Sequence, residues 1–169
     1  MHGWWQSVAS ADLDGDGDDD LVLGNLGENF YLKPDVKQPV KLWINAFSKS
    51  MMPEKIITRS INNKDVPVFL KRDLTDQIPT LKKQNLLHGE YANKSIQELF
   101  DETLIKTSKV KEVNYTRSCF AWNEGNGKFT ISEMPYPLQL SSVNAILVSD
   151  VNNDRRPDIL LGGNLLDWL

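Results

Sequence analysis

The chain has 169 residues, 40% of them hydrophobic and 25% charged, with a net charge of −4 and one cysteine. That length and composition suit one soluble domain with a sizeable core. They exclude a strongly basic nucleic-acid footprint, an apolar run of about 18 residues long enough to span a membrane, and any disulfide within the chain.

The N-terminus, Met1-His2-Gly3-Trp4-Trp5, lacks the basic and apolar regions of a signal peptide. Residues 4–11 and 21–26 are expected to form a hairpin. Trp4 and Trp5 read as filling between sheets in preference to an exposed sugar-stacking platform. The loop between the two strands organises the rest. Asp12-Leu13-Asp14-Gly15-Asp16-Gly17-Asp18-Asp19-Asp20 holds six carboxylates in nine residues, a density that repels itself unless a cation gathers it. Asp12, Asp14, Asp16 and Asp20 occupy positions 1, 3, 5 and 9, and Asp18 supplies a backbone carbonyl at position 7. Alternate oxygens of this kind wrap a hard cation at about 2.3–2.6 Å, and a flexible all-protein cage favours Ca2+ over Mg2+. Gly17 supplies the positive φ that turns the chain around the ion. An EF-hand would need Glu at position 12 and flanking helices. Position 12 is Leu23, and Leu21-Val22-Leu23-Gly24 reads as a short strand.

After a Pro-containing link (33–39), Val40-Lys41-Leu42-Trp43-Ile44 alternates as a strand. Residues 56–61 pair back on it, and Asn62-Asn63-Lys64-Asp65 turns into 66–69. From residue 70 the apolar period lengthens toward 3.6. Leu74, Ile78 and Leu81 share one side of a helix over 73–83, with Pro79 starting a new turn. A second helix is expected over 90–100, opened by a capping box at Ser95 and Glu98. Residues 70–107 therefore read as a helical insertion between strands. His88 lies in it with no ligand partner at metal spacing, which suits a surface or capping role.

Strands resume at Val113-Asn114-Tyr115-Thr116 and at Cys119-Phe120-Ala121-Trp122, where Cys119 reads as a buried inert thiol. Asn123-Glu124-Gly125-Asn126-Gly127 is a hairpin turn rich in residues that tolerate φ > 0, and 128–131 is the return strand. Pro135-Tyr136-Pro137 is an irregular link. The sequons at Asn93 and Asn114 are of the kind that arise by chance. A second aspartate loop closes the series. Asp150, Asn152, Asp154, Arg156 (through its carbonyl) and Asp158 repeat the first loop's spacing. A strand precedes it at 145–148, and a buried run, Leu160 to Leu165, follows and ends in Gly-Asn-Leu as the first does. It is the weaker copy. Asn152 replaces a carboxylate, Arg155 stands at the glycine position and must take αL or distort the turn, and two cations oppose Ca2+.

With the two loops, the segments Gly3-Trp4-Trp5-Gln6-Ser7, Gly24-Asn25-Leu26-Gly27, Arg72-Asp73-Leu74-x-Asp76-Gln77-Ile78-Pro79 and Asn123-x-Gly125-x-Gly127-Lys128-Phe129 resemble the FG-GAP/VCBS repeat β-propellers. More narrowly they resemble bacterial surface and secreted proteins that carry such repeats beside an ASPIC/UnbV-type region. The resemblance implies a mainly β fold: a partial β-propeller with a helical insertion at about 70–107. Residues 1–169 would then be a fragment of one propeller domain whose remaining blades lie outside it. In that family a third aspartate loop commonly follows a strand like 40–44. Here Ala46, Ser48, Ser50, Met51 and Glu54 occupy its positions, so this loop is expected to bind no ion.

For function, the resemblance implies a calcium-binding module that works in extracellular, cell-surface or periplasmic binding or scaffolding, with the ion structural and an unidentified protein or glycan as ligand. A propeller enzyme acting on glycans or phosphoesters is the alternative. Asp73, Asp76, Glu98 and Asp101 would be its candidate acids and bases, although they fall at helix-surface spacing. No catalytic motif is present, so a non-enzymatic role is expected. Lys82-Lys83 and Lys106 through Lys111 are the basic groupings, and neither is interleaved with stacking aromatics.

Overall fold

The computed structural model describes residues 1–48, 50–84 and 87–163. It is mainly β, with several antiparallel sheets and few helices. The chain forms two compact units. One comprises Gly3–Lys33 with the described part of Tyr115–Leu169, and the other is Pro34–Asn114. The helices expected over 70–107 thus belong to a larger compact unit with a sheet of its own.

In the first unit, β1 (Ser7–Ala11), β2 (Asp20–Gly24), β7 (Cys119–Asn123) and β8 (Phe129–Glu133) make a four-stranded antiparallel sheet in that order. Two strands come from before residue 34 and two from after 114. β1 pairs β2 from Ser7↔Gly24 to Ala11↔Asp20, and β2 pairs β7 from Leu21↔Ala121 to Leu23↔Cys119. The β7–β8 turn takes positive φ at Gly125, Asn126 and Gly127, as its composition demands. β9 (Ala145–Ser149) and β10 (Asp158–Gly162) form a separate two-stranded sheet.

Two expectations are corrected in this unit. The run after the second loop was expected to be buried, yet Leu160 is 50% exposed. Its counterpart β2 has β7 alongside it, whereas β10 has β9 as its one strand partner among the described residues. Trp5 is also exposed in place of filling an interior; it leans on Tyr115, while the partly buried Trp4 meets Phe30 edge-on. Asn164 and Leu165, the end of the repeated Gly-Asn-Leu, lie outside the described residues.

The second unit is a sheet of order β5-β4-β3-β6, built from β3 (Val40–Asn45), β4 (Glu54–Ile61), β5 (Lys64–Pro67) and β6 (Lys109–Val113). Between β5 and β6 run α1 (Lys71–Gln77), a 3-10 turn (Pro79–Gln84), α2 (His88–Ala92), α3 (Ile96–Leu99) and α4 (Glu102–Thr107). Leu74, Ile78, Leu81, Tyr91, Ile96 and Leu99 bury their side chains with Trp43, Phe47 and Ile56. The Trp43 indole donates to the Thr58 hydroxyl at 3.0 Å, which satisfies the polar edge of that core. Two element boundaries differ from expectation. The helix expected over 90–100 is two short ones, because α2 ends at Asn93 and α3 restarts from the Ser95 cap, whose amide donates to Glu98 at 2.7 Å. The strand expected at 113–116 runs instead from Lys109 to Val113. Its alternating lysines suit an edge strand.

Candidate metal centre

The first aspartate loop spans residues 12–19 between β1 and β2, with Gly15 at φ 87° and Gly17 at φ 95°. Those two left-handed turns aim backbone amides at the carboxylates. The Asp12 carboxylate accepts from the amides of Gly15 (2.7 Å) and Gly17 (3.1 Å). Asp14 accepts from Asp16 (3.1 Å) and Asp16 from Asp18 (2.9 Å). Asp20 is 1% exposed and holds the loop closed; its Oδ2 accepts from Leu13 (3.1 Å) and its Oδ1 from Asn123 on β7 (2.8 Å).

Asp12, Asp14 and Asp20 each offer an oxygen, and the three atoms lie within 4.8 Å of one another. Oxygens that share one calcium at about 2.4 Å stand no further apart than this, so the donor set fits a single hard cation. The carboxylate of Asp16 is outside that group of three, and Asp18 is the residue expected to contribute its backbone carbonyl. The amide bonds fix the orientation of the carboxylates, but they do not neutralise three negative charges drawn together, and a cation does.

The second loop reproduces this backbone closely. Asn153 and Arg155 take φ 61° and 67° at the positions of Gly15 and Gly17. Asp158 accepts from Val151 (2.9 Å), Asp150 from Arg155 (2.9 Å) and Asp154 from Arg156 (2.8 Å), each matching a bond of the first loop. Arg155 therefore does adopt αL. The side chains differ. Asn152 stands where the first loop has the carboxylate of Asp14, and its amide donates to Asp154 at 3.0 Å. Asp150, Asp154 and Asp158 form no convergent cluster among the described residues.

The β3–β4 hairpin shows a third solution. Glu54, at the loop-closing position, accepts from the hydroxyls of Ser48 and Ser50 and from the Ser48 amide. Burial pushes its carboxyl up, but these hydrogen bonds outweigh that and hold it below the usual range. Neutral donors do here what a cation would do in the first loop.

The carboxylates considered for acid–base chemistry are spread over the helices and exposed. Asp76 pairs with Lys82, Glu98 pairs with Lys64, and Asp101 stands at the N-cap position of α4 without a side-chain capping bond. Asp73 is exposed on α1, and His88 is exposed at the start of α2. Cys119 is fully buried, and burial pushes its thiol up to about 11.

Two asparagines that the spacing of carboxylates does not single out hold the site's frame. Asn123 ties β7 to the loop through its amide on Asp20 and its side chain on the Asp19 carbonyl at 3.2 Å. Asn25, 0% exposed, accepts from the amides of Trp4 and Leu26 and donates to the carbonyls of Tyr115 and Arg117. The signal for Asn25 was present in the repeated Gly-Asn-Leu. Read as a strand ending, it hid a buried polar hub.

Fold and loop together define a mainly β chain carrying a cation-competent aspartate loop on a strand hairpin. An FG-GAP repeat is found at residues 4–38, which takes in β1, the first loop and β2. No curated protein and no solved structure matches the chain. No helix among the described residues is long and apolar enough to cross a membrane.

Proposed function

We propose that this chain is part of a calcium-stabilised β-propeller in which the ion is structural and the module serves extracellular, cell-surface or periplasmic binding or scaffolding of a protein or glycan ligand. The observation that carries the reading is the convergence of Asp12, Asp14 and Asp20 within 4.8 Å, inside a loop that falls in the FG-GAP repeat. The four-stranded antiparallel sheets are of the kind that form propeller blades. The motifs at 72–79 and 123–129 support a bacterial source and an ASPIC/UnbV-type neighbourhood.

Bound there, calcium supplies charge neutralisation. Asp12, Asp14 and Asp20 would hold it, and because Asp20 also accepts from the Asn123 amide of β7, binding energy would become folding energy. A site of this kind leaves the chemistry of the ligand to other surfaces and supports a non-catalytic role. Calorimetry of calcium-stripped protein tests the proposal. Binding in the range of extracellular modules, roughly 10⁻⁴–10⁻³ M, with a calcium-dependent rise in melting temperature, is expected. No heat at millimolar calcium, with melting unchanged in Asp14→Ala, would sink it.

A further inference from the structure

The sheet of the second unit has two unlike faces. Trp43, Ile56 and Thr58 point to the helical side, where the core and the Trp43–Thr58 hydrogen bond lie. Strand alternation sends their neighbours the other way. On that opposite face Ile44 stands between Lys109 and Lys55, and Leu42 between Lys111 and Ile57. Arg59 follows two residues beyond Ile57 on the same strand.

The chemistry of this face is one-sided. Lys55, Arg59, Lys109 and Lys111 are exposed, while Leu42, Ile44 and Ile57 are half-buried between them. None of these four cations forms an ion pair among the described residues. No Asp or Glu stands at an outward position of β3, β4, β5 or β6 on this side. In a chain of net charge −4, four unneutralised cations around an apolar strip need an account. Guarding an open edge explains lysines on β6. It does not explain Lys55 and Arg59, because β4 lies inside the sheet, between β3 and β5.

We propose that this sheet face docks an acidic, apolar-bearing polypeptide segment of a partner protein. Apolar side chains of the segment would lie on Leu42, Ile44 and Ile57. Its carboxylates would meet cations on both flanks, each about 4.8 Å from the strip by strand spacing. Lys109 and Lys111 are two residues apart on one strand, about 6.8 Å, which matches the repeat of side chains on one side of an extended chain. Three of the four cations are lysines, point charges suited to carboxylates more than to bidentate phosphate recognition. The face presents no aromatic ring for base stacking. A pure polyanion would leave the apolar strip unused. The face belongs to the unit without the aspartate loops, so the inference stands apart from the calcium reading.

Fluorescence anisotropy on the full chain tests this, with a labelled peptide of alternating aspartate and leucine as the probe. Binding should weaken about tenfold or more in Lys55→Glu/Lys111→Glu, because like charges then face each other across the docked segment. It should also weaken steeply with salt. Circular dichroism of the double variant checks that it folds. Backbone NMR shifts on the unsubstituted protein give the same answer without mutation and should map to residues 42–44, 55–59 and 109–111. Unchanged affinity in a folded double variant, or shifts elsewhere, overturns the proposal. So does tighter binding of poly-aspartate, a sulfated polysaccharide or phosphatidylserine vesicles than of the alternating peptide.

Discussion

The carboxylate of Asp20 accepts a hydrogen bond from the backbone amide of Asn123 at 2.8 Å, across a strand boundary that is remote in sequence. Asp20 closes the aspartate loop and at the same time ties it to β7. Its two roles separate experimentally. Asp20→Ala removes a buried acceptor from the part-buried amides of Leu13 and Asn123, at about 1–3 kcal/mol, and should lower stability even in chelator. Asp14→Ala removes an exposed carboxylate whose one bond, from the Asp16 amide, is open to water, and should act mainly through calcium. Urea melts of both variants, with and without calcium, check this. Equal losses in chelator would show that Asp20 has no separate structural role.

The second loop supplies a prediction from backbone conformation. Arg155 holds φ 67° where the first loop has Gly17, a geometry that costs a non-glycine residue roughly 1–2 kcal/mol. Arg155→Gly relieves that strain and removes a cation beside Asp150 and Asp154. It should raise both stability and calcium affinity at residues 150–158. Two-site calorimetry should rank the first loop above the second in the unsubstituted protein and narrow the gap in the variant. A second site that is already the tighter of the two would overturn the ranking.

How much of this was legible beforehand follows from how locally each feature is encoded. The aspartate loops, the Asn-Gly turns and the 3.6-residue period of Leu74, Ile78 and Leu81 are short-range patterns, and each recurs in the structure near its expected place. Sheet partnership is not local. Nothing near residue 24 announces that β2 pairs with β7 after a compact unit of its own has intervened, or that the helices bury against Trp43 and Ile56 of that unit. The cationic face was hidden for the same reason. Lys55 and Lys109 are far apart in sequence and become neighbours through Ile44.

Acid titration should report on the second unit. The Ser95 amide and the Lys64 ammonium, with the Ser95 hydroxyl, hold the Glu98 carboxyl down at about 2 from its ordinary 4.5. A carboxyl depressed on folding contributes stability that is complete above its unfolded pKa and is lost as pH falls through the folded one. The loss should therefore fall between about 4.5 and about 2. Glu98→Gln should flatten the stability of the α3 region over that window and change little at neutral pH beyond a constant offset. Hydrogen exchange at the Ser95 amide is the direct readout. Protection in the Gln variant that still tracks pH as in the parent would show that another group controls this cap.

The last prediction concerns Asn25. With no exposed surface, it satisfies two amides, Trp4 and Leu26, and two carbonyls, Tyr115 and Arg117, while its own amide donates to Ser118 Oγ at 3.0 Å. These bonds join chain segments from before and after the second unit, so they staple a sheet whose strands are distant in sequence. Asn25→Ala leaves several part-buried backbone groups without their partner at once and should cost about 3 kcal/mol, in the range kept for broken hydrogen-bond networks. Asn25→Asp should do no better, because a carboxylate cannot donate to the Tyr115 and Arg117 carbonyls and would be buried without a cation. Asn126 is the control, a turn residue at φ 53°, where replacement by Ala adds only part of the roughly 1–2 kcal/mol that αL costs a residue with a Cβ, because Asn bears some of it already. Urea denaturation followed by tryptophan fluorescence compares the three. If Asn25→Ala falls within the cost of Asn126→Ala, the buried asparagine is not what joins the two halves of the sheet.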